Sequence, residues 1–167
     1  MSFKASQDES AAHPIDIVEE LVTSCEWNFS REGDAELLAS LDNGIGTFEL
    51  HFRWEQELEA LFFACHIDFV VQPDLMTEVC QLLTGVNGNL WLGHFDLPQE
   101  TNAPAFRHTI PMRHCASGVT EEQLEDLVAT ALYECEKLMP ALLLLDSSDP
   151  NAREALALAM MDVSGEA

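Results

Sequence analysis

The chain has 167 residues, enough for one domain that buries about two-thirds of its unfolded surface, and 47% of them are hydrophobic, which argues against wholesale disorder. Seven Lys and Arg against thirty Asp and Glu leave a net charge of −23, and only two of the residues are lysines, Lys4 and Lys137. Such a charge repels phosphate backbones and anionic headgroups, so it speaks against nucleic-acid and membrane partners and for neutral or basic proteins.

The five cysteines, Cys25, Cys65, Cys80, Cys115 and Cys135, are odd in number and form no CxxC pair. They fall in apolar periodic segments, where a free thiol behaves as a small hydrophobe, and this usage fits a reducing cytoplasm. The N-terminal stretch MSFKASQDESAAHP has no apolar signal core, and no apolar run approaches the ~18 residues of a membrane span. A cytoplasmic protein is expected.

Residues 1–12 are small and polar and read as a disordered tail ahead of a single domain over residues 13–163. Pro14 opens a helix, with Asp16 in its first turn and Ile15, Val18, Leu21, Val22 and Cys25 on one face. Asn28, Ser30 and Arg31 around Trp27 and Phe29 predict a short strand. REGDAE is a turn, and ELLASL a second strand ending at Asp42-Asn43-Gly44.

From Thr47 the alternation is clean: Phe48, Leu50, Phe52 and Trp54 point one way, and Thr47, Glu49, His51 and Arg53 the other. That is the pattern of a half-buried antiparallel strand. After the turn EQELEA, the stretch LFFACHIDFVV sets Leu61, Phe63, Cys65, Ile67 and Phe69 on one side. Its other side, with Phe62, Ala64, His66, Asp68 and Val70, is more apolar than a solvated face should be, which suggests that something covers it.

Pro73-Asp74 starts a second helix, with Leu75, Val79, Leu82, Leu83, Val86 and Leu90 at helical spacing and Gly88 at its end. NLWLGHFDL follows as a strand, then the loop PQETNAP, then AFRHTIPMRHC as a hairpin partner. Thr120 and Gln123 form a capping box for a long helix through Leu124, Leu127, Val128, Ala131 and Leu138. Pro140 is expected to kink or interrupt it; ALLLLD continues as helix or buried segment, and Asp149-Pro150 opens a last helix ending near Met161. The order α-β-β-β-β-α-β-β-α-α predicts an α+β fold, an antiparallel sheet packed by helices.

Chemistry has one focus, His94 two residues from Asp96. On a strand these share a face with Leu92, while Trp91, Gly93, Phe95 and Leu97 share the other, with Trp91 and Phe95 as core anchors and Gly93 giving room between them. A short hairpin with matched apolar faces sets Arg107 beside His94 or Asp96, so a cross-strand charge pair explains both residues without catalysis. A metal site needs three or four ligands, and HxxxH, HExxH and CxxC are all absent, although His51, His66, His94, His108 and His114 lie in strand-like segments. His114 and Cys115 are adjacent and point to opposite faces of a strand, which opposes a Cys–His nucleophile pair. Neither GxSxG, a P-loop nor GxGxxG occurs.

At LWLGHFDL, with the flanking VNGN and the later FRHT and EQLEDLVATALYECEKLMPALLLL, the chain resembles the YbjN family of bacterial sensory-transduction regulators, closest to its alphaproteobacterial branch. The resemblance covers nearly the whole length. It implies a fold similar to type III secretion chaperones, a strongly twisted antiparallel sheet packed by helices, commonly as a homodimer, and it brings no catalytic residues.

The expected function is a non-enzymatic protein-interaction module, chaperone-like or regulatory, with no cofactor. It would bury an apolar surface on a partner protein's segment and use acidic rims for orientation. Phe62, Ala64 and Val70 are the expected contact residues, with Trp54 near a strand end. The competing reading is a small metal-binding protein or enzyme built on His94, Asp96 and the neighbouring strand histidines.

Overall fold

The structure of the protein is a computed structural model that describes residues 12–113, 118–147 and 151. The elements run α1 (Pro14–Ser24), β1 (Asn28–Glu32), β2 (Glu36–Asp42), β3 (Thr47–Glu55), β4 (Ala60–Ile67), a 3-10 turn at Pro73–Leu75, α2 (Met76–Asn87), β5 (His94–Asp96), β6 (Ala105–Pro111) and α3 (Glu121–Asp146). The expected α+β order holds through α3. Most of the N-terminal tail, the His114-Cys115 pair and the last expected helix lie outside the described residues.

The strands form one sheet in the order β1-β2-β3-β4-β6-β5, and every neighbouring pair is antiparallel. Alternation divides its faces. β3 buries Phe48, Leu50 and Phe52, and β4 buries Leu61, Phe63, Cys65 and Ile67, on the side that meets the helices. Ile15, Val18, Leu21 and Val22 of α1, Val79, Leu82 and Leu83 of α2, and the buried stripe of α3 complete the same core. Among the described residues the sheet therefore has one helix-covered face and one face without a helix, a two-layer arrangement.

Local chemistry accounts for the helix ends. The Thr120 hydroxyl accepts from the Gln123 amide at 3.3 Å while the Gln123 side chain accepts from the Thr120 amide at 3.1 Å, the reciprocal capping box expected of α3. Gly88 caps α2. α3 runs on through Pro140 to Asp146 rather than breaking there. Pro140 sits on the exposed side, and burial of Leu138, Met139, Leu142 and Leu145 around it offsets the lost backbone hydrogen bond, a penalty of about 3 kcal/mol in a helix interior.

Two of the expected hydrophobic cysteines are on the surface. Cys25 is exposed because α1 ends at Ser24, leaving Cys25 as its C-cap rather than part of its buried face, and Cys80 lies on the outer side of α2. Cys65 and Cys135 are buried as expected, with their sulfurs 3.7 Å apart across the β4–α3 contact. The Cys135 thiol interaction, together with burial, holds the Cys65 thiol well above its ordinary pKa.

The stretch 89–97 departs most from expectation. Only His94–Asp96 is strand, and Trp91, expected in the core, is 103% exposed. The cause is Gly93, whose φ of +68° breaks the two-residue alternation, so the residues before it no longer follow the faces of β5. A Cβ at Gly93 would lie 2.3 Å from Phe106 Cζ and 2.8 Å from the Arg107 carbonyl oxygen. Close approach to Phe106 is thus the physical role of this glycine, and Phe95 takes the anchoring role alone, edge-on to Phe106 at 5.7 Å between centroids. Gly93→Ala is expected to destabilise the protein by about 2–4 kcal/mol, from backbone strain and overpacking together. A urea midpoint within error of the wild type would contradict that account.

Candidate functional site on the open face of the sheet

The helix-free face is organised by register. Leu38 pairs with His51, His51 with Ala64, Ala64 with Arg107 and Arg107 with His94, so one row crosses five strands from β2 to β5. The adjacent row runs Glu36, Arg53, Phe62 and Thr109. Ala64 sits between two much longer side chains, His51 and Arg107, and is only 1% exposed although no helix covers it.

Phe62 is the aromatic centre of this face and is half-buried. The His51 ring meets it edge-on at 5.9 Å, and the Arg107 guanidinium lies over it 5.0 Å from the ring centroid. Each of those neighbours is held from behind. His51 Nε2 contacts the Glu36 carboxylate, and Arg107 Nη1 donates to Asp96 Oδ2 at 2.5 Å. The expected partnership of Arg107 with the His94/Asp96 strand is therefore present. The pair sets the Arg107 guanidinium over Phe62.

Pro98 and Glu100 from the β5–β6 connection and Leu58 from the β3–β4 turn wall this face into an open concavity of about 810 Å³. Its floor is apolar at Ala60, Phe62 and Ala64, while its charged lining is three glutamates, Glu55, Glu57 and Glu100, and two arginines, Arg53 and Arg107. Arg53 pairs with Glu55 at 3.3 Å. Among the described residues no arginine or lysine pairs with Glu49, Glu57 or Glu100, so the electrostatic balance of the face is negative.

His66 lies on the same face, half-buried. Burial holds its imidazole below its ordinary pKa, repulsion from His51 and Arg107 works in the same direction, and Glu49 opposes both. His66 is thus kept neutral near pH 7.

The four expected contact residues do not converge. Phe62 and Ala64 share the floor of the concavity. Trp54 is on the helix-covered face, half-buried, with its ring 6.0 Å from His13. Val70 is 59% exposed but lies beyond the end of β4 at Ile67, so it has left the sheet. The residues that complete the site, Leu58, Pro98, Glu100 and Arg107, come from turns and from a strand that joins the sheet out of sequence order. Strand alternation in the sequence assigns faces, but it carries no signal for the β4–β6 register. Among the described residues, no group of three or more His, Cys, Asp or Glu is placed to hold a metal ion, and His94 and Asp96 join no such group.

With this geometry in place, the relatives can be compared. The sequence profile of YbjN, "Putative bacterial sensory transduction regulator", matches residues 14–144. The chain belongs to the YbjN family. The crystal structure of YbjN from E. coli superposes with a TM-score of 0.56 at 17% identity, covering 78% of this chain and 92% of that one. At that identity the likeness shows the fold, and it places this six-stranded antiparallel sheet and its helices within the YbjN architecture. No curated protein matches the chain. No helix among the described residues is long and apolar enough to cross a membrane.

The neutral His66 gives a pH prediction. Its folded-state pKa is depressed, so as pH falls through the unfolded-state value of about 6.5 the unfolded chain takes up a proton first and stability is lost. Urea unfolding between about pH 7.5 and about pH 5 should show a smaller loss of stability for His66→Gln than for the wild type. Equal losses in the two proteins would rule out the assignment.

Proposed function

We propose that this YbjN-family chain is a non-enzymatic regulatory module that holds a basic, partly apolar segment of another protein across the open face of its sheet. The observation that carries this reading is Phe62, a half-buried aromatic on the floor of a concavity of about 810 Å³ with an acidic rim. Half-buried aromatics in recessed, water-excluding settings are the usual energetic centres of protein interfaces.

The mechanism follows from the two layers of the site. Phe62, set above the buried Ala60 and Ala64, takes apolar side chains of the bound segment, while Glu55, Glu57 and Glu100 attract Lys or Arg on either side of it. Arg107 and His51, tied to Asp96 and Glu36, hold the Phe62 ring in place, so little conformational entropy is lost there on binding. The overall charge of −23 steers basic partners in and keeps nucleic acid out. A chaperone-like role is compatible with this mode of capture, because an extended segment held on a sheet face is kept from other contacts.

Affinity capture from the native cell, compared between wild type and Phe62→Glu, tests the proposal. The variant should lose the captured partner while keeping a wild-type circular dichroism spectrum, and capture by the wild type should weaken as NaCl is raised. An unchanged partner set with Phe62→Glu would defeat it.

A further inference from the structure

The chain enters its first helix beside the concavity. His13 caps α1, with Nδ1 accepting from the Ile15 amide at 3.3 Å, and its ring lies 6.0 Å from Trp54 near the end of β3. The turn after Trp54 supplies Glu55, Glu57 and Leu58 to the wall of the concavity. Ala12, which is exposed, therefore stands at the corner of the sheet where that wall begins.

The residues ahead of Ala12 have the chemistry that the concavity suits. MSFKASQ carries Phe3 and Lys4, one of the two lysines of the chain, and no acid precedes Asp8. Phe3 is nine positions from Ala12, a reach of up to about 30 Å when extended. Phe62 is only two positions past Ala60, where β4 leaves the turn, or about 7 Å along the strand. The chain can thus round the β3–β4 turn and reach the floor with length to spare. Asp8 and Glu9 fall closer to Ala12, at the end where Arg113 reaches Glu59 at 3.5 Å.

We infer that residues 1–7 pass over the β3–β4 turn into the concavity, Phe3 against Phe62 and Lys4 between Glu57 and Glu100, and hold the site closed until a partner's segment displaces them. The inference rests on reading the concavity as a site for basic, partly apolar segments. Charge complementarity selects the occupant. Arg107 is answered by Asp96 and Arg53 by Glu55, which leaves Glu57 and Glu100 to receive Lys4. A second aromatic ring against Phe62 adds to the area it buries. Tethering at the rim gives these residues an effective concentration on the order of a millimolar, against which a free partner must compete. A second copy of the chain, also at −23, is held off by repulsion.

The test places benzoylphenylalanine at position 3 of the full chain, illuminates it at about 1 µM, far below that effective concentration, and maps the adducts by mass spectrometry. An adduct within one chain to residues 60–66 of β4 is expected, its yield falling with NaCl and about threefold or more with Lys4→Glu. Adducts that join two chains, adducts only outside the concavity, or a yield indifferent to Lys4→Glu would overturn the inference. A synthetic peptide of residues 1–10 should bind the chain carrying both Phe3→Ser and Lys4→Glu about tenfold or more tightly than the wild type, whose own residues compete. Equal binding would overturn it as well. If the adduct forms but Phe62→Glu leaves the captured partners unchanged, the proposed function fails and this contact stands. If no such adduct forms while Phe62→Glu loses the partner, this contact alone fails.

Discussion

Phe63 of β4 packs against Phe52 of β3 with ring centroids 4.8 Å apart, both rings fully buried, and this contact decides which face of the sheet the helices cover. Because side chains alternate along a strand, fixing Phe63 inward fixes Phe62 outward. A slip of one residue in β4 would exchange the two faces and place His66 in the core, at the cost of burying an imidazole without a partner. The core pairing and the open-face site are therefore one decision of register, made at the centre of the sheet.

That decision also orders the electrostatics. On the helix side the described residues bury no charged group, whereas the open face gathers Arg53, Arg107, His51 and His66 among a larger number of carboxylates. Asp96 belongs to the edge strand β5 and Glu36 to β2 on the other side of the sheet, and each steadies a cationic or titratable group that points at Phe62 from its own side. A chain this acidic can hold an aromatic surface open to water without inviting like molecules onto it, because copies repel wherever carboxylates are dense.

Much of this was legible in the sequence wherever a local pattern sufficed. The alternation of β3, the capping box of Thr120 and Gln123, the Gly88 stop and the Arg107 partnership all rest on spacing within a few residues or within one hairpin. Trp91 was misplaced because alternation was carried through Gly93, and only the structure reveals its positive φ and its closeness to Phe106. Pro140 was overweighted because helix propensity is local, while the burial that overrides it is not. Trp54 shows the limit for site residues: its alternation with Phe48, Leu50 and Phe52 puts it on the covered face, whatever its aromatic character suggests. Ala64 gained its meaning only from the pairing of β4 with β6, two strands separated in sequence by a helix and a third strand.

The central claim is that the partner lies on the open face, over Phe62. Replacing Phe62 with the photo-crosslinker benzoylphenylalanine in the native cell tests this most directly, with Leu143 on the far side of α3 substituted in parallel. The account predicts a covalent adduct to a partner chain from position 62 and none from position 143. An adduct from position 143 with none from position 62 would contradict it.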